Sequence, residues 1–101
     1  MSNYSTTNRH IARHRTRRNR DRVTIIMQIL EYLVSGCSKP SKVSSELNLT
    51  YDRLMQLLKN LEDLGLVKYS THGYCITQSG LILLESYRRF MSTLKALNII
   101  V

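Results

Sequence analysis

The leucines between Thr50 and Gly65 constrain the fold of this chain more than any other feature. They recur at steps of three and four residues, which is the spacing of one face of an α-helix. Threonine commonly caps a helix N-terminus, and glycine commonly follows a helix C-terminus. The pattern therefore predicts a helix between these two residues, with a buried stripe formed by Leu54, Leu57, Leu58, Leu61 and Leu64.

Two helices are predicted before this one. Residues 21–36 have apolar side chains at helical spacing, with a capping Asp21 at the start and a glycine just past the end. The segment after it is barely two turns long, with Pro40 in the first turn and Asn48 as the stop. A short second helix joined to the third by a tight turn is the arrangement of a helix-turn-helix unit.

The last third of the chain changes from strand to helix. The runs LVKYS and YCIT are rich in β-branched and aromatic residues, and Thr71-His72-Gly73 between them predicts a hairpin turn. A final helix starts at Thr77 or Ser79. The predicted fold class is mainly α with a small β-hairpin (α+β), a winged helix-turn-helix with a C-terminal dimerisation helix. The predicted division is a basic arm over 1–20, the winged domain over 21–77 and the dimerisation helix over 78–101.

Positive charge is concentrated in the arm. Residues 1–22 contain seven arginines and one acid, Asp21, whereas the rest of the chain contains eight basic and six acidic side chains. Ile11 and Ala12 are the only aliphatic residues after Met1 in this stretch, so we interpret it as a flexible extension. A basic arm on a nearly balanced domain is typical of a protein that grips phosphates, with an organellar transit peptide as a minor alternative. The arginines predicted to contact DNA are Arg9, Arg13, Arg15, Arg17, Arg18, Arg20 and Arg22.

No catalytic or ligand-binding motif is present in the sequence. There is no glycine-rich phosphate loop and no nucleophile with a credible histidine and acid, so we predict no enzyme and no cofactor, and no small-molecule effector is identifiable from the sequence. His10 and His14 are four residues apart, but the arginines around them repel cations and no third ligand is near, so no metal is expected.

The two cysteines and the hydropathy pattern suggest a location. Cys37 and Cys75 are far from Cys-x-x-Cys spacing and no apolar signal segment is present, so we expect reduced thiols that act as small core residues. No run reaches the roughly eighteen apolar residues of a membrane span. The predicted location is cytoplasmic and nucleoid-associated.

One family resemblance supports this fold. The segment KPSKVSSELNLTYDRLMQLLKNLEDLGLVKY resembles the helix-turn-helix core of many prokaryotic transcription factors. LNLTYDRL, LEDLGLV and YCITQSG are similar to small archaeal winged-helix proteins, including the ten-kilodalton archaeal chromatin-associated DNA-binding proteins. The resemblance covers about residues 20–97 and implies dimerisation through the last helix, packed on its copy as an antiparallel coiled coil. The chain departs from the family in its short last helix and its longer, denser arginine arm.

The third helix is the predicted reading element. If its leucines face the core, Asp52, Gln56, Lys59 and Asp63 point away, with Arg53 and Asn60 on one shoulder. Arginine and lysine suit guanine and phosphates, and glutamine and asparagine suit adenine, although such a face is also explained by solvation alone. The predicted contacts outside the arm are Arg53, Gln56, Lys59, Asn60, Tyr51, Ser41, Lys42, Lys68 and His72.

Several of these contacts have a purely structural alternative. Tyr51 either meets a phosphate or packs beneath the turn, and Ser41 and Lys42 either contact the backbone of DNA or cap and solubilise their helix. The three-residue wing is short for a minor-groove contact through Lys68 and His72.

The apolar stripe of the last helix is longer than one small core needs. The chain ends LKALNIIV, which would leave an apolar patch on a monomer. We predict a homodimer, to which Met27 and Val34 of the first helix also contribute. Its predicted interface consists of Leu84, Tyr87, Met91, Leu94 and Leu97.

These features together predict a homodimeric winged-helix protein that binds double-stranded DNA, as a transcriptional regulator or a chromatin-type architectural protein. The alternative is a protein–protein interaction module whose basic arm binds RNA or an acidic protein surface.

Overall fold

The computed structural model describes residues 20–100, and within this range the secondary structure follows the predicted order. The two strands form one antiparallel hairpin. The predicted fold class, mainly α with a small β-hairpin in a winged helix-turn-helix arrangement, is confirmed. The elements are α1 (Arg22–Val34), α2 (Pro40–Leu47), α3 (Tyr51–Asp63), β1 (Val67–Ser70), β2 (Gly73–Ile76) and α4 (Gln78–Ala96).

The helices begin at the residues that the sequence indicates. Asp21, Thr50 and Thr77 each accept a hydrogen bond through a side-chain oxygen from the backbone N–H three residues later. These bonds satisfy N–H groups that have no partner within the helix. Pro40 is the first residue of α2, where its missing N–H costs nothing.

The core lies between α1, α3, the hairpin and the start of α4. Four of the five predicted leucines of α3 are almost fully buried, but Leu64 is 70% exposed. Leu64 is the C-cap residue that follows α3, so it lies past the end of the buried stripe. The buried side chains are Ile25, Ile29, Leu30, Leu33, Val43, Leu54, Leu57, Leu58, Leu61, Val67, Tyr74 and Leu84.

The hairpin is docked on the loop between α1 and α2. The Ser38 N–H donates to the Tyr74 carbonyl at 2.9 Å, and the Tyr74 N–H donates to the Ser38 carbonyl at 2.8 Å. Gly73 has a φ of +103°, and a Cβ at this position would overlap the Ser38 carbonyl oxygen. Only glycine allows the backbone at position 73 to lie this close to Ser38. Gly73 pairs with Ser70 at the start of β2, so the loop itself has only two residues, Thr71 and His72.

Cys37 and Cys75 form a disulfide, so the prediction that they are reduced core residues is wrong. Cys37 directly precedes Ser38 and Cys75 directly follows Tyr74, so the paired backbones hold the two sulfur atoms opposite each other. The two Cα atoms are 4.2 Å apart, although the residues are 38 positions apart in sequence. The pairing depends on the docking of the hairpin, which sequence spacing does not reveal.

Helix α4 leaves the hairpin along α1. Gly80, in its first turn, packs so closely on the backbone of Leu66 that a Cβ would overlap the Leu66 carbonyl oxygen. One turn beyond the core, Arg88 forms an exposed ion pair with Glu31 of α1 at 2.8 Å. An exposed pair contributes little free energy, so the position of α4 depends mainly on this close packing and on buried Leu84.

Candidate nucleic-acid interface

Helix α3 turns one polar face to solvent. The buried leucines lie on the opposite side, so the predicted outward face is confirmed as an exposed surface, while its contact with DNA stays a prediction. Its charged residues are balanced, which means that attraction for phosphates must come from cations beside α3. The exposed polar residues of this face are Asp52, Arg53, Gln56, Lys59, Asn60 and Asp63.

The turn before α3 is tight. Asn48 is in the left-handed region at a φ of 56°, as its position at the predicted helix stop requires. The Leu49 N–H donates to the Ser44 carbonyl at 2.9 Å and closes the end of α2. Thr50 then caps α3, so three residues separate the last residue of α2 from Tyr51. The side chain of Tyr51 is about half exposed at the start of α3.

Arg20, the last residue of the predicted arm, contacts the folded domain through its side chain. Its Nη1 atom donates to Gln28 Oε1 and to the Leu47 carbonyl, each at 2.9 Å. Its Nη2 atom donates to the Asn48 carbonyl at 3.3 Å. The guanidinium group therefore joins α1 to the end of α2, because helix-end carbonyls lack partners within their own helix. Sequence reasoning missed this, since it depends on two helices meeting.

The rest of the arm lies largely outside the described residues. Arg22 is exposed on the first turn of α1. It follows Asp21, whose carboxylate accepts the Thr24 N–H at 2.7 Å. That hydrogen bond from the Thr24 backbone lowers the pKa of Asp21 below its ordinary value, so the carboxylate is charged at neutral pH. Outside the described residues are Arg9, Arg13, Arg15, Arg17 and Arg18, with His10 and His14.

The start of α2 and the tip of the hairpin meet in one cleft. Ser41, Lys42 and His72, which are far apart in sequence, line an open depression of about 450 Å³. Lys39 also lines it, and Cys37 of the disulfide lies at its edge. Sequence reasoning missed Lys39, although its position directly before a helix-starting proline was the available signal. The docking of the hairpin thus collects three ionisable basic side chains beside the N-terminus of α2.

The hairpin presents different residues on its two faces. Lys68 is exposed and pairs with Cys75, on the face opposite Val67 and Tyr69. Tyr69 is 64% exposed and packs edge-on against buried Tyr74, with ring centroids 5.1 Å apart. Strand alternation therefore directs Lys68 away from the core-facing side of the hairpin and separates it from Tyr69.

Helix α4 buries one residue of the predicted dimer interface in the core of its own chain. Leu84 is only 2% exposed and belongs to the core of its own chain, so it is not free to meet a partner. Its neighbour Leu83 is 37% exposed, and Phe90 and Leu97, seven and fourteen residues further, are 58% and 63% exposed. Together with half-buried Tyr87 and Leu94, these residues repeat at alternating steps of four and three. We call this set, Leu83, Tyr87, Phe90, Leu94 and Leu97, the α4 stripe.

A second concavity lies between α1, the end of α2 and α4. It is an open groove of about 580 Å³ whose apolar lining includes Met27, Leu47 and Tyr87. Arg20 lies at its edge. The groove thus lies between Arg20, the end of α2 before the turn, and Tyr87 of the α4 stripe.

Neither a membrane span nor a metal cluster is found in the described part of the chain. Within residues 20–100, no helix is long and apolar enough to cross a membrane. Over the same residues, no three histidine, cysteine, aspartate or glutamate side chains are arranged to hold a metal ion.

Comparison with known proteins identifies a family. No curated protein matches the chain significantly. A family model described as winged helix-turn-helix matches residues 19–95, which spans α1 and nearly all of α4 and includes Arg20. With the helix order, the tight turn before α3 and the docked hairpin, this match shows that the chain belongs to the winged helix-turn-helix family.

Proposed function

We propose that the protein is a homodimer that binds double-stranded DNA, as a transcriptional regulator or as a chromatin-type architectural protein. The observation that carries this proposal is the exposed polar face of α3 opposite its four buried leucines. An α-helix fits the major groove of DNA, and arginine, lysine, glutamine and asparagine are the side chains that suit its bases and phosphates.

Cations beside α3 support phosphate contact. The α3 face has balanced charge, whereas the lining of the cleft includes Lys39, Lys42 and His72 but no aspartate or glutamate. A helix N-terminus also favours anions, and α2 begins at this cleft. We therefore assign the cleft to the DNA backbone and the α3 face to the groove.

The arm supplies further cations. Residues 1–19 contain five arginines and no acid, and a segment of this length extends at most about 68 Å. The major groove is about 12 Å wide, so the arm reaches phosphates on either side of a groove that α3 occupies. We propose that the arm clamps phosphates, with the adjacent minor groove of A·T-rich tracts as a favoured site because of its deeper negative potential.

The α4 stripe supports a homodimer. Phe90 and Leu97 are more than half exposed, and Ile99 is 63% exposed beyond them. Soluble proteins seldom expose such a continuous apolar surface without a partner. The alternating spacing of the stripe matches packing against a second helix of the same kind. Static light scattering of the purified protein at tens of micromolar tests this, and a monomer at that concentration contradicts it.

The proposed location is cytoplasmic and associated with the nucleoid, because DNA is the proposed partner. Disulfides are rare in the cytosol of mesophiles but common inside hyperthermophilic archaea and bacteria. The Cys37–Cys75 bond therefore fits a cytoplasmic location in a hyperthermophilic archaeon or bacterium.

Fluorescence anisotropy with a labelled duplex of random sequence tests the proposed function. We expect micromolar or tighter binding at moderate salt that weakens as salt rises. Single-stranded RNA of the same length is the control, because an interaction module with an RNA-binding arm prefers the RNA. Absence of duplex binding contradicts the proposal.

Substitutions in α3 test the assigned surface. Arg53→Ala and Gln56→Ala should each weaken duplex binding by about 1 kcal/mol if they contact DNA. Gln78→Ala, on an exposed position of α4, should leave affinity unchanged and serves as the control. Unchanged affinity in both α3 variants, with intact circular dichroism spectra, moves the binding surface elsewhere.

Selection of sites from a random duplex pool separates the two roles. An enriched motif that is weakened by Gln56→Ala indicates a regulator whose α3 reads bases. Binding without enrichment indicates an architectural protein that contacts mainly phosphates.

A further inference from the structure

Arg20 occupies a special place at the base of the arm. Its guanidinium group bonds to two carbonyl oxygens at the end of α2 and to the side chain of Gln28 on α1. A cation at a helix C-terminus is favourable, because the helix dipole is negative there. Charge-assisted hydrogen bonds of this kind are also stronger than neutral ones. The contact therefore ties the side chain of residue 20 to the end of α2.

This contact lies on the turn that precedes α3. One of the two acceptors is the carbonyl of Asn48, and α3 starts at Tyr51. Three residues of chain span at most about 11 Å, so Arg20 is attached close to the N-terminus of the proposed reading helix.

We propose that Arg20 is a positioning residue that directs the arm toward DNA. This inference rests on the proposed function of the arm as a phosphate clamp. Arg18 and Arg17 lie two and three residues before Arg20 in the sequence, so in this proposal the arm starts in the neighbourhood of α3. Confining a segment near its target raises its effective concentration and reduces the entropy lost on binding.

Without the hydrogen bonds of Arg20, only the peptide bond to Asp21 would attach the arm to the domain. Residue 20 would then rotate about the start of α1, and the nearest arginines would sample a larger volume. Arg20 differs in this from Arg22, because its guanidinium N–H groups are already bound to three protein oxygens. Loss of the Arg20 side chain should therefore lower duplex affinity. It should change the slope of log affinity against log salt by less than the value of about 0.9 that one phosphate contact contributes.

A double-mutant cycle with the arm tests this role. Arg20→Gln is made in the full chain and in the chain that lacks residues 1–18, and duplex affinity is measured for all four proteins. We expect about a fivefold loss in the full chain and less than a twofold change in the truncated chain, because the anchor then has nothing to position.

Two further variants separate positioning from charge and from loss of folding. Gln28→Ala keeps the charge of Arg20 but removes one of its acceptors, so it should show a smaller loss that also disappears on truncation. Arg22→Gln removes the same charge from the next arginine, which makes none of these contacts, and should weaken binding less than Arg20→Gln. Circular dichroism melting identifies the temperature at which every variant is folded, and binding is measured below it.

The outcomes separate the inference from the proposed function. Equal losses from Arg20→Gln in both backgrounds overturn the positioning role while leaving the clamp intact. A loss from Arg22→Gln as large as that from Arg20→Gln also overturns it, because bulk charge then accounts for the effect. A truncated chain that binds like the full chain contradicts the arm clamp itself.

Discussion

Tyr74 connects the hairpin to the core at the scale of one residue. Its side chain is 6% exposed, and burial raises the pKa of its hydroxyl above the ordinary value of 10.0. Because the folded-state pKa is the higher one, the stability from keeping this group neutral is present below about pH 10 and is lost as the pH rises through the raised pKa.

The phenylalanine variant tests this assignment. Tyr74→Phe keeps the ring but has no ionisable group, so its free energy of unfolding should fall less than that of the wild type above about pH 10. Urea unfolding at neutral and alkaline pH measures the difference. Parallel pH dependence of Tyr74→Phe and the wild type contradicts the assignment.

Helix α4 packs on the core of its own chain and also presents the α4 stripe to the proposed partner. Neighbouring residues of the helix serve these two purposes. Leu84 is buried in its own chain, whereas Phe90 and Leu97 are exposed on the α4 stripe. Phe90→Glu with Leu97→Glu should convert the proposed dimer into a monomer without lowering the free energy of unfolding of the monomeric domain. Leu84→Ala should destabilise the domain by about 2–5 kcal/mol through loss of buried surface and a cavity.

Light scattering and chemical denaturation measure these two effects. A control substitution at another exposed position of α4, Glu85→Gln, should change neither. A monomer caused by Leu84→Ala alone in a fully folded domain, or an intact dimer with both glutamates, contradicts the division between the two faces.

The elements themselves were predictable because local signals agree with tertiary packing. Thr50 caps the helix that it was expected to cap, and Asp21 and Thr77 cap helices that were predicted to start near them. Asn48 and Gly65 adopt the positive φ values expected at helix ends. In each case one residue type satisfies a backbone requirement that is only a few residues long.

The direction in which a helix side chain points, and contacts between residues distant in sequence, were not predictable in the same way. Leu83 and Leu84 are about 100° apart on α4, and both fit an apolar stripe that continues through Tyr87 and Leu94. Only the packing of α4 on the core decides which of them is buried. The contacts of Arg20 and the cleft around Lys39 have the same origin, because they require elements distant in sequence to meet.

The disulfide acts at the scale of the whole molecule. It closes a loop between residues 38 positions apart, which contains α2, α3 and β1. In the chain-entropy model, a loop of this length stabilises the folded state by about 4 kcal/mol, as an upper value. Because the Ser38–Tyr74 hydrogen bonds are independent of the sulfur atoms, we expect the reduced protein to keep its fold.

Chemical denaturation tests this contribution. The double variant Cys37→Ser and Cys75→Ser should lose about 2–4 kcal/mol of unfolding free energy. The wild type in excess reductant should lose a similar amount, while reductant should not affect the double variant. Equal stability of the oxidised wild type and the variant contradicts a stabilising disulfide.

The salt dependence of DNA affinity provides the decisive test of the proposed DNA clamp, because each phosphate contact changes the slope of log affinity against log salt by about 0.9. Deletion of residues 1–18 removes Arg9, Arg13, Arg15, Arg17 and Arg18 but keeps Arg20 and α1. We predict a steep slope for the full chain, and a slope flatter by about two to four units for the truncated chain, with nearly unchanged thermal stability. If the truncated chain keeps the slope and affinity of the full chain, the arm does not grip DNA and the account is wrong.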